Sequence, residues 1–147
     1  MELWTTIAGT AGGIIGGGAV GAYITSRTQL SQARRTRRHS AAAALWGYQR
    51  ALMGFGNAMW DRAYGDVDAA SVSMADFSEL RTAHAAAYQF AGYLPSDRQA
   101  LVRNAHLDFG GAPGGSPDAH ANVADAAFKL GRELETVLVD TFRRDDR

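Results

Sequence analysis

The residue types that carry most enzymatic and metal chemistry are scarce in this chain of 147 residues. It contains no cysteine, which excludes thiol catalysis, disulfide bonds and cysteine-ligated metals. The histidines His39, His84, His106 and His120 have no metal-ligand spacing, and Lys129, the only lysine, follows no phosphate-binding glycine loop. We therefore predict a protein that is not an enzyme, with no catalytic residue, no metal site and no cofactor.

Glycine is the residue type that does recur with a regular spacing. Four glycines repeat every fourth residue and give three consecutive G-x-x-x-G steps: Gly9, Gly13, Gly17 and Gly21. On a helix they would form one stripe without side chains, along which two membrane helices can approach to van der Waals contact. This glycine stripe resembles the glycine zippers of oligomeric membrane helices, including some pore-formers and small membrane-active toxins. The resemblance implies close helix packing and a homo-oligomer.

The glycine stripe lies in an uncharged segment, Leu3 to Ile24, which is long enough to cross a bilayer. Its 22 residues would extend about 33 Å as a helix, and a hydrocarbon core is about 30 Å thick. Trp4 and Tyr23 lie near its two ends, where aromatic rings favour the headgroup level. We predict that residues 1–26 form a single-pass transmembrane anchor. The alternatives are a cleaved signal peptide, for which the basic leader is missing, and a glycine-rich segment that does not insert.

Arginines follow this segment closely. Five of them form what we call the arginine collar: Arg27, Arg34, Arg35, Arg37 and Arg38. Residues 27–50 contain six arginines and no acid, whereas the N-terminal flank holds only the terminal amine and Glu2. The positive-inside rule predicts an inner (cytoplasmic) membrane protein, with its N-terminus outside and residues 27–147 in the cytoplasm. Residues 27–40 are predicted to form a basic juxtamembrane helix on lipid headgroups, at about 1 kcal/mol per arginine. Nucleic-acid binding is disfavoured, because only His39 among aromatic residues accompanies the collar.

The remainder, residues 41–147, is predicted to be a cytoplasmic antiparallel bundle of three to four helices, so the fold class is all-α. No segment shows convincing alternation with a period of two residues. The first helix is expected to continue from the anchor, with core positions at the 3-4 spacing of coiled coils: Leu45, Tyr48, Leu52, Phe55 and Met59. Residues 51–147 hold nine basic and fourteen acidic side chains, so the bundle is mildly acidic.

A second stripe on the same helix consists of Trp46, Met53 and Trp60, at intervals of seven residues. Such a stripe is either part of the core or an exposed docking surface for a protein partner.

Glycines also interrupt this helix. Gly47, Gly54 and Gly56 indicate close packing or a bend, and Gly65 is placed to end the helix.

Three further helices carry start and stop signals. The first is expected to begin after Ser73 and run to Leu94, before Pro95. The second is expected to open with a capping box of Ser96 and Gln99 and to reach about His106. The third begins at Ser116, which is followed by proline and aspartate, after a glycine-rich connector. Its core stripe is expected to be Val123, Ala127, Leu130, Leu134, Val137, Leu138 and then Phe142.

Two functions remain open at this point. The first is a membrane-anchored interaction, scaffold or regulatory protein that self-associates through the glycine stripe and binds a protein partner that the sequence does not identify. The alternative is a membrane-active effector whose oligomerised helices form a pore. Fourteen arginines against one lysine resemble the usage of high-GC bacterial or phage proteins.

Overall fold

The computed structural model describes the backbone of residues 3–65, 74–105 and 116–143, and the side chains of residues 27–65, 77–105 and 116–143. Over these residues the protein is helical and has no β-strand. Its elements are α1 (Leu3–Tyr64), α2 (Met74–Tyr88), a 3₁₀ turn (Ala91–Tyr93), α3 (Ala100–Arg103) and α4 (Pro117–Arg143). The chain divides into an N-terminal unit, Met1–His39, and a C-terminal unit, Ser40–Arg147.

The N-terminal unit is helical from Leu3 onward. The predicted anchor, residues 1–26, lies outside the residues whose side chains the structure describes, and so does the glycine stripe of Gly9, Gly13, Gly17 and Gly21. In the part of the chain that is described, no helix combines the length and the apolar character that crossing a membrane requires.

In the C-terminal unit α2 packs antiparallel to α1. The rings of Tyr48 and His84 lie 5.1 Å apart and those of Phe55 and Phe77 lie 5.9 Å apart. Seven residues towards the C-terminus of α1 therefore correspond to seven residues towards the N-terminus of α2.

Helix α4 is also antiparallel to α1. Gln49 Nε2 lies 3.5 Å from Glu135 Oε2 near one end of the contact. Further along α1, a Cβ placed at Gly56 would lie 2.7 Å from the Phe128 ring. The predicted helical bundle is confirmed, with one refinement: because both partners oppose α1, helices α2 and α4 run parallel to each other.

The predicted apolar stripes of α1 and α4 lie in the core of this bundle. All five core positions proposed for α1 are buried, and α4 contributes Ala127, Leu134, Val137 and Leu138, while Val123, Leu130 and Phe142 are partly buried against the core. The largest side chains with almost no exposure are Tyr48, Leu45, Leu52, Leu80, Leu134 and Leu138. The 3-4 spacing identifies core residues because residues three and four apart lie on one face of a helix.

The two predicted helices between α1 and α4 are shorter than expected. Helix α2 ends at Tyr88 rather than Leu94. The backbone amides of Phe90, Tyr93 and Leu94 each bond to the carbonyl three residues earlier, which is the 3₁₀ pattern. Leu94 is extended, with φ −79° and ψ 153°, as Pro95 requires of the residue before it.

Helix α3 is limited to Ala100–Arg103, and the predicted capping box is wrong. Residues 96–99 form a turn in which the Arg98 and Gln99 amides both donate to the Pro95 carbonyl. The Gln99 side chain donates from Nε2 to the Leu94 carbonyl at 3.2 Å, so it does not pair with Ser96. The N-cap residue of α3 is Gln99 rather than Ser96, and no side chain caps the helix.

The outer ends of α1 and α4 follow the sequence signals. Helix α4 begins at Pro117, and Ser116 Oγ caps it by accepting from the Ala119 amide at 3.3 Å. Helix α1 ends at Tyr64, and the Gly65 amide donates to the Asp61 carbonyl at 2.7 Å. No described glycine has a positive φ, so Gly65 ends the helix without a left-handed residue.

Candidate interaction surfaces

The arginine collar lies on α1, where Arg38 is half-buried and the other four side chains are exposed. At about 100° per residue, Arg27, Arg34 and Arg38 share one face of the helix, with Arg35 and Arg37 on either side. Residues 27–50 contain no acid, so this stretch of helix carries a net positive charge. The collar is therefore a cationic face suited to a polyanionic surface.

The three residues of the predicted docking stripe have different environments. Trp46 is half-buried against the core. Met53 is half-buried and faces α4, because its Sδ would lie 2.9 Å from a Cβ placed at Gly131. Trp60 is 43% exposed and its ring lies 4.6 Å from that of Tyr64, which is 66% exposed. The exposed aromatic surface is thus the Trp60–Tyr64 pair, and the docking role of Trp60 stays a prediction.

Sequence analysis missed Tyr64 as part of this surface. The available signal was the four-residue spacing from Trp60 at a helix end, since such residues are neighbours on the helix surface.

The glycines in the bundle fall into two groups. Added Cβ atoms at Gly56 and Gly131 would lie 2.7 Å from Phe128 and 2.9 Å from Met53, respectively. These glycines permit the close approach of α1 and α4. At Gly47 and Gly54 an added Cβ would have no atom within 4 Å. The packing of the bundle accounts for the first pair of glycines and leaves the second pair unexplained.

Gly47 lies in a surface groove between α1 and α2 with a volume of about 730 Å³, which we call the α1–α2 groove. Small side chains from both helices line it: Ala51, Ser78, Thr82, Ala83 and Ala86. Arg50 from α1 and Glu79 from α2 complete the lining, and both are exposed. Sequence analysis did not identify this groove, because it depends on which faces of two helices adjoin.

A second cavity, of about 640 Å³, lies between the segment around Pro95 and the C-terminal part of α4. Its charged residues are Asp97, Arg98, Glu133 and Asp140. Arg98 Nε is 3.3 Å from the Asp97 carboxylate, and both side chains are more than half exposed. Among the described residues no cluster of three histidine or carboxylate side chains has a metal-binding arrangement.

Two polar groups lie inside the bundle. His84 Nε2 donates to the Val102 carbonyl at 2.8 Å, which joins α2 to α3. Tyr48 is fully buried beside this ring, and its hydroxyl has no hydrogen-bond partner. Burial raises the pKa of the Tyr48 hydroxyl above its usual value. Both side chains contribute to the packing of the core.

Comparison of the chain with protein-family models, curated proteins and solved structures found no match.

Proposed function

We propose that this protein is a non-enzymatic, membrane-anchored helical module that self-associates and presents its bundle to a protein partner as a scaffold or regulator. The observation that carries the proposal is the composition of α1. This single helix, Leu3–Tyr64, includes the uncharged segment, the arginine collar and one side of the bundle core.

The arginine collar supports the membrane location. Its exposed arginines begin three residues after the uncharged segment, where anionic headgroups would lie. Each cationic side chain near an anionic leaflet contributes about 1 kcal/mol, so the collar would also fix the orientation of the anchor. The acid excess of residues 51–147 disfavours contact between the bundle and the same leaflet.

Self-association is proposed to occur through Gly9, Gly13, Gly17 and Gly21. Four small residues in register allow two membrane helices to pack closely, and the gain is van der Waals contact that lipid chains supply less well. In the bundle, the Trp60–Tyr64 pair is the surface best suited to a protein partner, because exposed aromatic residues are enriched at interfaces.

The first experiment tests the membrane location and topology. The full chain, expressed in bacteria, should remain with the membrane fraction after an alkaline carbonate wash. Because the protein has no cysteine, Glu2→Cys and Arg147→Cys provide unique labelling sites. A membrane-impermeant thiol reagent added to intact cells should label the first variant only. Release by the wash would refute the anchor, and labelling of Arg147→Cys alone would reverse the orientation.

The second experiment tests the glycine stripe in a membrane two-hybrid assay. Gly13→Ile should abolish self-association, because its side chain separates the two helix backbones. Ala11→Ile is the matched control, since it adds bulk to a different face of the helix and should leave the signal intact. Equal signals from both variants would rule out the stripe as the interface.

A membrane-active effector is the second candidate, and the three consecutive G-x-x-x-G steps favour it, since they resemble those of pore-forming helices. Overexpression of the wild-type chain, compared with Gly13→Ile, separates the two functions. Loss of membrane potential with the wild-type chain alone would support an effector, whereas an unchanged potential would support the scaffold.

A further inference from the structure

Gly47 and Gly54 are an unexplained pair in the interior of α1. Glycine destabilises a helix by about 1 kcal/mol relative to alanine. At Gly56 and Gly131 the close packing of α1 on α4 requires a residue without a side chain. At Gly47 and Gly54 nothing in the bundle does, because an added Cβ would meet no atom within 4 Å. Both positions are accessible to a neighbouring backbone, and they lie seven residues apart on one side of the helix.

The α1–α2 groove beside Gly47 carries charges of both signs on its two helices. Arg50 belongs to α1 and Glu79 belongs to α2, and no ion pair joins either side chain to a described residue of the same chain. A second copy of the chain would offer the complementary pattern. In a two-fold symmetric dimer, Arg50 of each copy faces Glu79 of the other, so one contact forms two ion pairs.

The register of the bundle is compatible with this pairing. The contacts of Tyr48 with His84 and of Phe55 with Phe77 place Glu79 level with Met53. Arg50 is three residues away from that level, which is about 4.5 Å along the axis of α1. With a two-fold axis along the helices, both copies run in the same direction and these levels are preserved. Along that axis, Arg50 of one copy and Glu79 of the other are then within reach of each other.

We infer that the α1–α2 groove is a self-association surface, in which the Gly47–Gly54 side of α1 packs on the same side of a second copy and Arg50 pairs with Glu79 across the two-fold axis. This inference rests on the proposed membrane-anchored self-association and extends it into the bundle. The anchor brings two copies together, and the groove sets how their bundles face each other.

The test uses the full chain in lipid vesicles, with the native absence of cysteine as background. Ala43→Cys, an exposed position one turn before Gly47 on the same side of α1, should be crosslinked between copies by a short thiol-reactive reagent. The control is Ala126→Cys, an exposed position on α4, which should be crosslinked weakly. Ala43 and Ala126 are both exposed alanines, so the two variants should fold normally, and both glycines stay in place.

Charge reversal then tests the pairing on the Ala43→Cys background. Arg50→Glu alone and Glu79→Arg alone each place like charges together at two points, and each should lower the crosslinked fraction about tenfold. A mixture of the two single variants, carrying different tags, should recover crosslinking between unlike tags, because each mixed dimer regains both ion pairs. Matching near-ultraviolet circular dichroism spectra would show that the single variants remain folded.

Equal crosslinking at Ala43→Cys and Ala126→Cys, or no recovery in the mixture, would overturn the groove interface. The Gly13→Ile variant separates this failure from failure of the proposed function. If Gly13→Ile abolishes association while the charge variants have no effect, self-association through the anchor stands and the groove contact is wrong. If the charge variants show the expected pattern while Gly13→Ile has no effect, the groove is an interface and the glycine stripe is not.

Discussion

Replacing individual glycines of α1 by alanine should change the stability of the bundle in opposite directions. At Gly47, where an added Cβ meets no atom, alanine should stabilise the helix by about 1 kcal/mol. At Gly56 the same Cβ would lie 2.7 Å from Cε1 and 2.8 Å from Cδ1 of Phe128, within a packed interface. Overpacking of this kind costs about 1–3 kcal/mol. After the gain in helix propensity, Gly56→Ala should be destabilising by about 1 kcal/mol.

The two variants should therefore differ by about 2 kcal/mol, or about 8 °C in Tm for a domain of about 100 residues. Thermal unfolding of the full chain in mild detergent, followed by near-ultraviolet circular dichroism, measures this difference. Two protein concentrations separate folding from self-association, because only an associating species has a concentration-dependent Tm.

A double variant decides whether Phe128 is the cause. In a Phe128→Ala background the obstructing ring is gone, so adding Gly56→Ala should become stabilising by about 1 kcal/mol. The effect of Gly56→Ala on stability should change sign because only its steric contribution depends on the Phe128 ring, whereas the gain in helix propensity does not. If Gly56→Ala lowers the Tm equally in both backgrounds, the close approach of α1 to α4 at this position is wrong.

Two further predictions concern named side chains. Tyr48→Phe should be neutral or stabilising by up to about 1 kcal/mol in urea unfolding, because it removes a buried hydroxyl without a partner. Since burial raises the pKa of Tyr48, the folded state keeps its proton while the unfolded state ionises near pH 10. Wild-type stability should fall as the pH rises above about 10, and a Tyr48→Phe variant with an equal fall would contradict this. Ser116→Ala should cost about 1 kcal/mol because it removes the cap of α4. The control Ser96→Ala should cost almost nothing, and equal losses would show that capping is not the cause.

The sequence predicted the parts of the fold that depend on local rules. The 3-4 spacing from Leu45 to Met59 identified the core face of α1, because a helix places residues three and four apart on one side. Ser116 with Pro117 marked the start of α4, because the capping geometry involves only neighbouring residues. The end of α2 was misplaced by six residues. Pro95 indicated that a helix could not continue, but the 3₁₀ turn before it depends on backbone bonds that compete with α-helical ones.

The candidate surfaces could not be predicted from the sequence, because they depend on the three-dimensional arrangement of the helices. The glycines of α1 are an example. From the sequence alone, Gly47, Gly54 and Gly56 have the same interpretation: each is a glycine inside a helix that would allow a neighbouring element to approach closely. Only the positions of neighbouring atoms separate them, since Phe128 of α4 occupies the space at Gly56 and nothing occupies it at the other two. At each of the two open positions glycine destabilises the helix by about 1 kcal/mol, and no contact within the bundle offsets this. In the proposed contact with a second copy, where Arg50 pairs with Glu79, both open positions face the neighbouring helix.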